Sequence, residues 1–436
     1  MPFTFEKPTR IQQEDKEFVK LKKEFTDISL NPKVECYSHY SSYSPLCPSS
    51  STADIIKLMN KKLDRFIYLD NNATHPMIEP VKEKMKEMFN LIGNPSSRHL
   101  AGERVKAYIE AARTNIANHI GTDDPSRLFF TASGSESNNT FIKGVAFKNI
   151  GSYRDTIITT RLEHYAVIRP IKYLEKFGFK IIYIDVDKNG LIDTEDLKSK
   201  LNDKTLLVSI MATNNETGTV YPIHEYYKII KNNSDALFHC DMSQAFGKIQ
   251  NVKVGDLDAV TITGHKFGGP IGISILYVKD KDLFDPLIHG GNQEFNKRAG
   301  TYNPINISAL NIAFEELKDI DYNKIQKLRD WLDDRIVERF SCSINCKEVD
   351  RMVNTTSITF SNIIGDELID FLSNEGIFIS SSSACSSHEK KPSHVLKAIG
   401  LSDEEAYRTI RVSLNRDNTK KELEFFINKV TEFIER

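Results

Sequence analysis

The sequence has no long apolar run and no excess of charge of either sign. No hydrophobic stretch approaches the ~20 residues that a membrane-spanning helix needs. In a chain of 436 residues, 58 Lys and Arg residues nearly balance 60 Asp and Glu residues. A surface that binds nucleic acid or anionic lipid usually appears as a basic excess. We therefore expect neither a nucleic acid nor a membrane among the partners of this protein.

Cysteine is also scarce. The chain has six cysteines, and the one close pair, Cys342 and Cys346, lacks the second pair or the histidines of a zinc site. We therefore expect neither a disulfide framework nor a bound metal. The opening residues mix acids with bases, whereas a secretory signal has an apolar core and a mitochondrial presequence is poor in acids. These features predict a cytoplasmic protein.

What the sequence does contain is an ordinary globular composition, 40% hydrophobic and 27% charged. A chain of this length and composition can build a large core in more than one domain. Residues 1–65, which become rich in Ser, Tyr and Pro, predict an N-terminal extension with little core of its own. We expect a large domain over residues 66–320 and a smaller C-terminal α+β domain over residues 321–436.

Apolar strands and amphipathic helices alternate from about residue 128 to residue 280, which predicts a mostly parallel sheet flanked by helices. Two helices precede this region, and glycine is expected to close them in a left-handed conformation at Gly93 and Gly121. Because the carboxyl ends of parallel strands meet at one edge of a sheet, polar groups that follow them should converge on one crevice. Such groups recur after successive strands, at Ser135, His164, Asn215, Asp241 and Lys266.

Two of these groups suggest a cofactor. A lysine at one strand end, Lys266, can form a Schiff base with pyridoxal 5′-phosphate, and Asp241 can keep the pyridine nitrogen protonated so that the ring accepts electrons. Most aspartates and lysines are only solvated surface charges, so the recurrence of polar strand ends carries the inference. The turn at residues 133–135, before a helix predicted to begin near Glu136, offers N–H groups that can bind phosphate. Many such turns are merely structural.

Ten motifs stand in the order that they have in a known family. They are LDNNATHP, GNPSSRHLAG, FTASGSESNN, LEHYAV, NNETGTV, HCDMSQAFGK, GHKFGGP, GGNQEFNKRAGT, SSSSACSSHEKKPSHVLKAIG and TIRVSLNR. From about Tyr68 to Asn418 the chain therefore resembles the pyridoxal-phosphate cysteine desulfurases of the NifS/IscS-like group, within the class V aminotransferases.

The resemblance implies an α/β fold of the aminotransferase type, pyridoxal-phosphate fold type I, with a mostly parallel seven-stranded sheet in the large domain. It implies a homodimer with paired active sites. It also implies conversion of L-cysteine to L-alanine, with the sulfur held as a persulfide on Cys385. A sulfur-acceptor or scaffold protein would then take the sulfur for iron–sulfur cluster assembly or for thiolation of tRNA or a thiocofactor.

The resemblance also implies a role for each matching residue. Lys266 would form the Schiff base, Asp241 would face the pyridine nitrogen, and Gln244 would hydrogen-bond the phenolic oxygen. His164 would stack on the ring and move protons, although without its motif a histidine is more often a satisfied core residue. The remaining assignments are a phosphate cradle of Gly134, Ser135, Thr263 and His265, a phosphate contact across the dimer from Thr301, and a carboxylate clamp of Arg411 assisted by Asn215, which would also contact the cofactor.

Cys385 decides between reactions on this scaffold. Its flanking serines are typical of a solvent-reachable loop, and a thiol must be accessible and partly ionised to attack. A buried structural cysteine is the ordinary alternative. Two other functions stay open: a selenocysteine lyase or another class V reaction such as amino-group transfer, and a non-catalytic relative that serves as an assembly partner.

Overall fold

The N-terminal segment of the described chain belongs to neither of the two larger sheets. The structure is a computed structural model that describes residues 66–381 and 391–436. The predicted extension and Cys385 lie outside these ranges. The first strand, β1 (Ile67–Tyr68), pairs in parallel with a late strand, β11 (Ile377–Phe378). The predicted boundary at residue 320 stays a prediction.

Short runs rich in β-branched residues build a seven-stranded sheet. Its strands are β2 (Leu128–Thr131), β3 (Thr156–Thr160), β4 (Lys180–Ile184), β5 (Thr205–Ser209), β6 (Leu237–Asp241), β7 (Ala259–Thr263) and β8 (Ser274–Val278), in the order β2-β8-β7-β6-β5-β3-β4. Strand β8 runs in the opposite direction to the other strands of this sheet and pairs antiparallel with both β2 and β7. Most of these strands are buried along their whole length, as expected for a sheet covered by helices on both faces. The predicted α/β fold is confirmed.

Most of the helices that accompany this sheet are capped at their N-terminus by a side chain. The helices are α1 (Glu79–Met88), α2 (Leu100–Ile120), α3 (Gly134–Lys148), α4 (Tyr165–Leu174), α5 (Thr194–Lys200), α6 (Ile223–Asn233) and α7 (Pro304–Glu315). Helix α2 ends at Gly121, whose φ of +84° is left-handed as predicted. Helix α3 begins two residues before Glu136 because the Ser133 side chain caps it and accepts from the Glu136 N–H.

The predicted end of the first helix at Gly93 is wrong. Helix α1 ends at Met88, and Gly93 lies in the connection that follows. A Cβ atom at Gly93 would lie 2.4 Å from the carbonyl oxygen of Ala101. This glycine is therefore needed for a close approach to the start of α2, not for a helix cap.

The C-terminal part of the chain forms an antiparallel sheet covered by helices. Its strands are β9 (Cys342–Ile344), β10 (Thr355–Phe360), β12 (Ser380–Ser381) and β13 (Thr409–Ser413), in the order β12-β13-β10-β9. The helices of this part of the chain are α8 (Tyr322–Arg339), α9 (Gly365–Asn374), α10 (His394–Ala398), α11 (Asp403–Tyr407) and α12 (Lys420–Ile434). The buried apolar side chains of α10 and α11 belong to the core of the large sheet. Leu69, close to the start of the described chain, is buried in the same core as Phe360 and Phe426.

No helix within residues 66–381 and 391–436 combines the length and the apolar character required to cross a bilayer. In the same ranges, no group of three His, Cys, Asp or Glu side chains is placed to hold a metal ion.

A buried ion pair fixes the loop before α7 to the edge strand β2. The guanidinium of Arg113 donates two hydrogen bonds to the carboxylate of Glu294, at 2.8 and 2.9 Å, and a third to the carbonyl oxygen of Leu128. The N–H of Phe130 also donates to Glu294, at 3.0 Å. Both charged side chains are almost fully buried. Removing Glu294 takes away the buried partner of this guanidinium and leaves only the exposed Glu110, 3.3 Å from its Nε atom.

We therefore predict that Glu294→Gln lowers the free energy of unfolding by about 3–5 kcal/mol. Chemical denaturation of the purified protein measures this change. The matched control is Glu79→Gln, which breaks the exposed pair of Glu79 with Lys82 and should change the stability far less, because solvent screens exposed charges. Equal and small effects of the two substitutions would show that the buried pair does not stabilise the fold.

Candidate functional site

The polar strand ends of the large sheet converge as predicted. His164 follows β3, Asn215 follows β5, Asp241 ends β6 and Lys266 follows β7. Strands β6 and β7 are neighbours, with Asp241 opposite Thr261. The imidazole of His164 is close enough to both Asp241 and Lys266 for their charges to act on its pKa. One crevice therefore contains a carboxylate, an amine and an imidazole.

The carboxylate of Asp241 is buried and held by two donors. Asn138 on α3 donates its side-chain N–H to Oδ2 at 2.8 Å, and the main-chain N–H of Ser243 donates to Oδ1 at 2.9 Å. These two hydrogen bonds fix the orientation of the carboxylate in the crevice. Asn138 was missed from the sequence, although FTASGSESNN contains it, because its partner is more than 100 residues away.

The amine of Lys266 donates to two main-chain oxygens of the N-terminal segment, at 2.8 Å to Asn72 and 2.7 Å to Ala73. The side-chain amide of Gln244 donates to the same Asn72 oxygen at 2.9 Å. Asn72 is buried, and its own side chain donates to Thr355 and to the carbonyl oxygen of Asn215. Asn72 is thus a second residue that sequence reasoning missed, and the motif LDNNATHP is the signal that could have found it.

Three small residues form a hollow at the start of α3. The hydroxyls of Ser243 and Thr263 lie 2.8 Å apart, and a Cβ atom at Gly134 would come within 2.3 Å of the Thr263 hydroxyl. Only glycine leaves this space open. Gly134 and Ser135 are the first two residues of α3, where main-chain N–H groups lack helical partners and favour an anion. The hollow therefore suits a phosphate, and Ser243 joins the predicted set.

The imidazole of His164 caps helix α4. Its Nδ1 accepts from the main-chain N–H of Ala166 at 3.1 Å, so a neutral ring carries its proton on Nε2. Burial is the main cause that lowers the pKa of His164. The charge of Asp241 raises this pKa, and the charge of Lys266 lowers it further. The ring is therefore neutral at neutral pH and presents an N–H donor.

The guanidinium of Arg411 is buried and already engaged. It donates to Asp70 at 2.6 Å and to the carbonyl oxygen of Asn215 at 3.1 Å. Its Nε atom has no partner among the described residues. The arginine that the sequence assigns to a substrate carboxylate therefore lies beside Asn215, and Asp70 orients it.

Other assigned residues are less closely tied to this group. His265 precedes Lys266, but its ring nitrogen Nδ1 is paired with the hydroxyl of Thr74 at 3.0 Å. Thr301 is exposed, in the loop that Arg298 links to Glu136 of α3 through an ion pair of 2.7 Å. Phosphate contacts of His265 and Thr301 stay predictions, and the position of Cys385 lies outside the described residues.

Glu163 is a further residue that sequence reasoning missed. Its side chain is fully buried, and Oε1 accepts from the Thr160 hydroxyl and the Met211 N–H, at 3.0 and 2.9 Å. Burial, with a contribution from Asp241, raises the pKa of Glu163 to about 8. A neutral acid therefore lies beside the crevice at neutral pH, next in sequence to His164.

Comparison with known proteins agrees with this geometry. Residues 67–426 match the family described as aminotransferase class-V. The chain is 40% identical over 381 residues to a cysteine desulfurase IscS of Dictyoglomus turgidum, an alignment that covers 86% of this chain and 96% of the relative. A solved NifS-like protein is similar with a TM-score of 0.78 and 35% identity, over 85% of this chain and all of the other. SspA in complex with cysteine is similar with a TM-score of 0.72 and 35% identity, over 81% of this chain and all of the other.

We predict that Glu163→Gln changes the pH dependence of stability. A folded-state pKa raised from 4.5 to about 8 gives a stability contribution that is present below pH 4.5 and is lost as the pH rises toward 8. Relative to the unaltered protein, the variant should gain at most ~1.4 kcal/mol per pH unit in this window, and nothing further above it. Denaturation between pH 5 and 9 measures the difference.

The control for this experiment is Glu367→Gln, which removes an exposed carboxyl group. Its stability curve should run parallel to that of the unaltered protein. A Glu163→Gln curve that is also parallel would contradict the neutral buried acid.

Proposed function

We propose that this chain, which belongs to the aminotransferase class-V family, is a pyridoxal-phosphate-dependent cysteine desulfurase. It converts L-cysteine to L-alanine and passes the sulfur to an acceptor protein. The observation that carries the proposal is the convergence of Lys266, Asp241 and the hollow at Gly134 on one crevice at the carboxyl edge of the sheet. The cofactor, when bound, supplies an electron sink that labilises bonds at the substrate carbons.

The residues present fit this group. The hollow of Gly134, Ser243 and Thr263 offers hydroxyl and main-chain donors to a phosphate. The buried Asp241 carboxylate, held in place by Asn138, offers a partner to a protonated ring nitrogen. Lys266 offers the amine that would carry the aldehyde.

The other residues of the crevice bind and orient the substrate. Arg411, oriented by Asp70, offers a planar guanidinium to the carboxylate of the amino acid. Asn215 lies beside it through its main-chain carbonyl. His164 is neutral and carries its proton on Nε2, and it can donate that proton at the face of the cofactor ring.

Cys385 takes the sulfur. Its thiolate forms an S–S bond with the substrate sulfur while the bond from that sulfur to the substrate β-carbon breaks. The electron pair of the broken bond stays with the carbon, which takes up a proton and leaves in alanine. The persulfide on Cys385 then gives its outer sulfur to a thiol of an acceptor or scaffold protein. Because this chemistry needs reduced thiols, we place the protein in the cytoplasm.

We predict that Cys385→Ala lowers alanine and sulfide formation from L-cysteine at least 100-fold and leaves the absorption of the bound cofactor intact. Lys266→Ala should remove both the activity and the absorption band. The control is Cys342→Ala, a half-buried cysteine on β9, which should retain activity. Unchanged turnover of Cys385→Ala would point to a reaction that needs no thiol, such as amino-group transfer.

We further propose that the protein is a homodimer. Large apolar side chains are exposed at Phe89 and Ile92 after α1, at Leu100 at the start of α2, and at Ile271 after β7. The close approach of Gly93 to Ala101 brings the first two of these segments together. Exposed apolar surface of this kind favours a protein interface. The exposed Thr301 would then reach the phosphate of the partner's site.

Mixing two inactive variants tests this arrangement. Lys266→Ala lacks the amine, and Thr301→Asp places a carboxylate against the partner's phosphate. A mixed dimer has one site with an intact Lys266 and an intact Thr301. Each mixed dimer should therefore have up to about half of the activity of an unaltered dimer. Sedimentation checks the assembly. Failure of the mixed dimers to regain activity would contradict a shared site.

A further inference from the structure

A second lysine lies behind the crevice. Lys248 follows Asp241 by seven residues, in the turn after β6, and is only 3% exposed. The main chain turns at Gly247, whose φ is +75° and whose added Cβ would meet the Phe267 side chain at 3.0 Å. Because glycine is needed at this tight turn, the chain carries Lys248 into the interior.

The amine of Lys248 is buried without a carboxylate. Among the described residues it forms no ion pair within 4.0 Å, and its hydrogen-bond partner is Oε1 of Gln244. Burial, followed by the charges of Lys266 and Arg411, lowers the pKa of Lys248 well below 10.5. A buried amine without a counter-charge destabilises a fold. Stability alone would favour an apolar side chain here.

The space beside Lys248 is too small to hold the substrate. This lysine lines a cavity of about 20 Å³ together with Lys266, His75 and Asn354. A space of that size holds roughly one water molecule. Any effect of Lys248 on the chemistry must therefore pass through a neighbouring side chain.

That neighbour is Gln244. A glutamine amide presents an acceptor on one side and two N–H donors on the other, and its orientation depends on its partners. Here Lys248 donates to Oε1, and Nε2 donates to the Asn72 oxygen that also receives the amine of Lys266. With the acceptor end occupied by Lys248, the donor end faces the crevice.

We propose that Lys248 is a positioning residue that holds Gln244 with its Nε2 donor, and not its Oε1 acceptor, turned toward Lys266 and the phenolic oxygen of pyridoxal phosphate. The inference rests on the proposed cofactor. Without Lys248 the Gln244 amide can rotate and turn its Oε1 atom toward the phenolic oxygen of the cofactor. Two acceptors then face each other, and the hydrogen bond is lost. Lys248 is then retained for the orientation of Gln244 at a cost to stability.

A double-mutant cycle tests this role. The variants are Lys248→Met, which keeps the length of the side chain and removes the donor, Gln244→Leu, and the two combined. Each single substitution should weaken binding of pyridoxal phosphate about tenfold, which is the order of one lost hydrogen bond. Because Lys248 acts through Gln244, the double variant should bind no more weakly than Gln244→Leu alone.

Two further measurements separate positioning from a structural role. The pH at which the absorption band of the bound cofactor titrates should shift in Lys248→Met. Adding Lys248→Met to Gln244→Leu should produce no further shift. The cofactor-free Lys248→Met protein should melt at the same temperature as the unaltered protein or higher. If Lys248→Met does not fold, Lys248→Gln, which keeps an N–H donor, should retain most of the cofactor affinity.

The control is Lys253→Met, which removes an exposed lysine from the same connection and should leave cofactor affinity unchanged. If Lys248→Met lowers cofactor affinity equally in the presence and absence of Gln244, or does not lower it at all, the inference about Lys248 is overturned and the proposed function is not. An unaltered protein that binds no pyridoxal phosphate would overturn the proposed function and this inference with it.

Discussion

One main-chain oxygen, that of Asn72, receives hydrogen bonds from both the Lys266 amine and the Gln244 amide. Its position depends on the Asn72 side chain, which is buried and bound to Thr355 on β10 and to the Asn215 carbonyl after β5. The segment that contains Asn72 therefore joins the edge of the large sheet to the C-terminal sheet. The residues of the crevice keep their mutual positions because this short segment is fixed from both sides.

The site contains several groups that lower stability. Glu163 is buried as an acid whose pKa is about 8, and Lys248 is buried without a carboxylate. Polar and ionisable groups in such positions are expected where function requires them and the surrounding core can support them. Here the strands β5, β6 and β7, almost entirely buried, supply that support.

The sequence was informative wherever a short pattern determines the local structure. Runs of apolar and β-branched residues predicted the strand ends, and with them the convergence of His164, Asp241 and Lys266. Gly121 closes its helix as expected, whereas Gly93 does not, because a close approach between backbones leaves the same signature in the sequence as a helix cap.

The residues that were missed depend on long-range pairs. Asp70 meets Arg411 across 341 positions of sequence, and Asn138 meets Asp241 across 103. No local pattern indicates which polar residue will orient another at such a separation. Burial was equally hidden, since a lysine such as Lys248 is usually a surface residue.

The central claim is that Lys266, among all lysines of the chain, carries the cofactor. Treatment of the cofactor-loaded protein with borohydride, followed by digestion and mass spectrometry, tests it directly. We predict a pyridoxyl group on the peptide that contains Lys266 and on no other peptide. A label on Lys248 or on a surface lysine, with Lys266 unmodified, would contradict this account of the site.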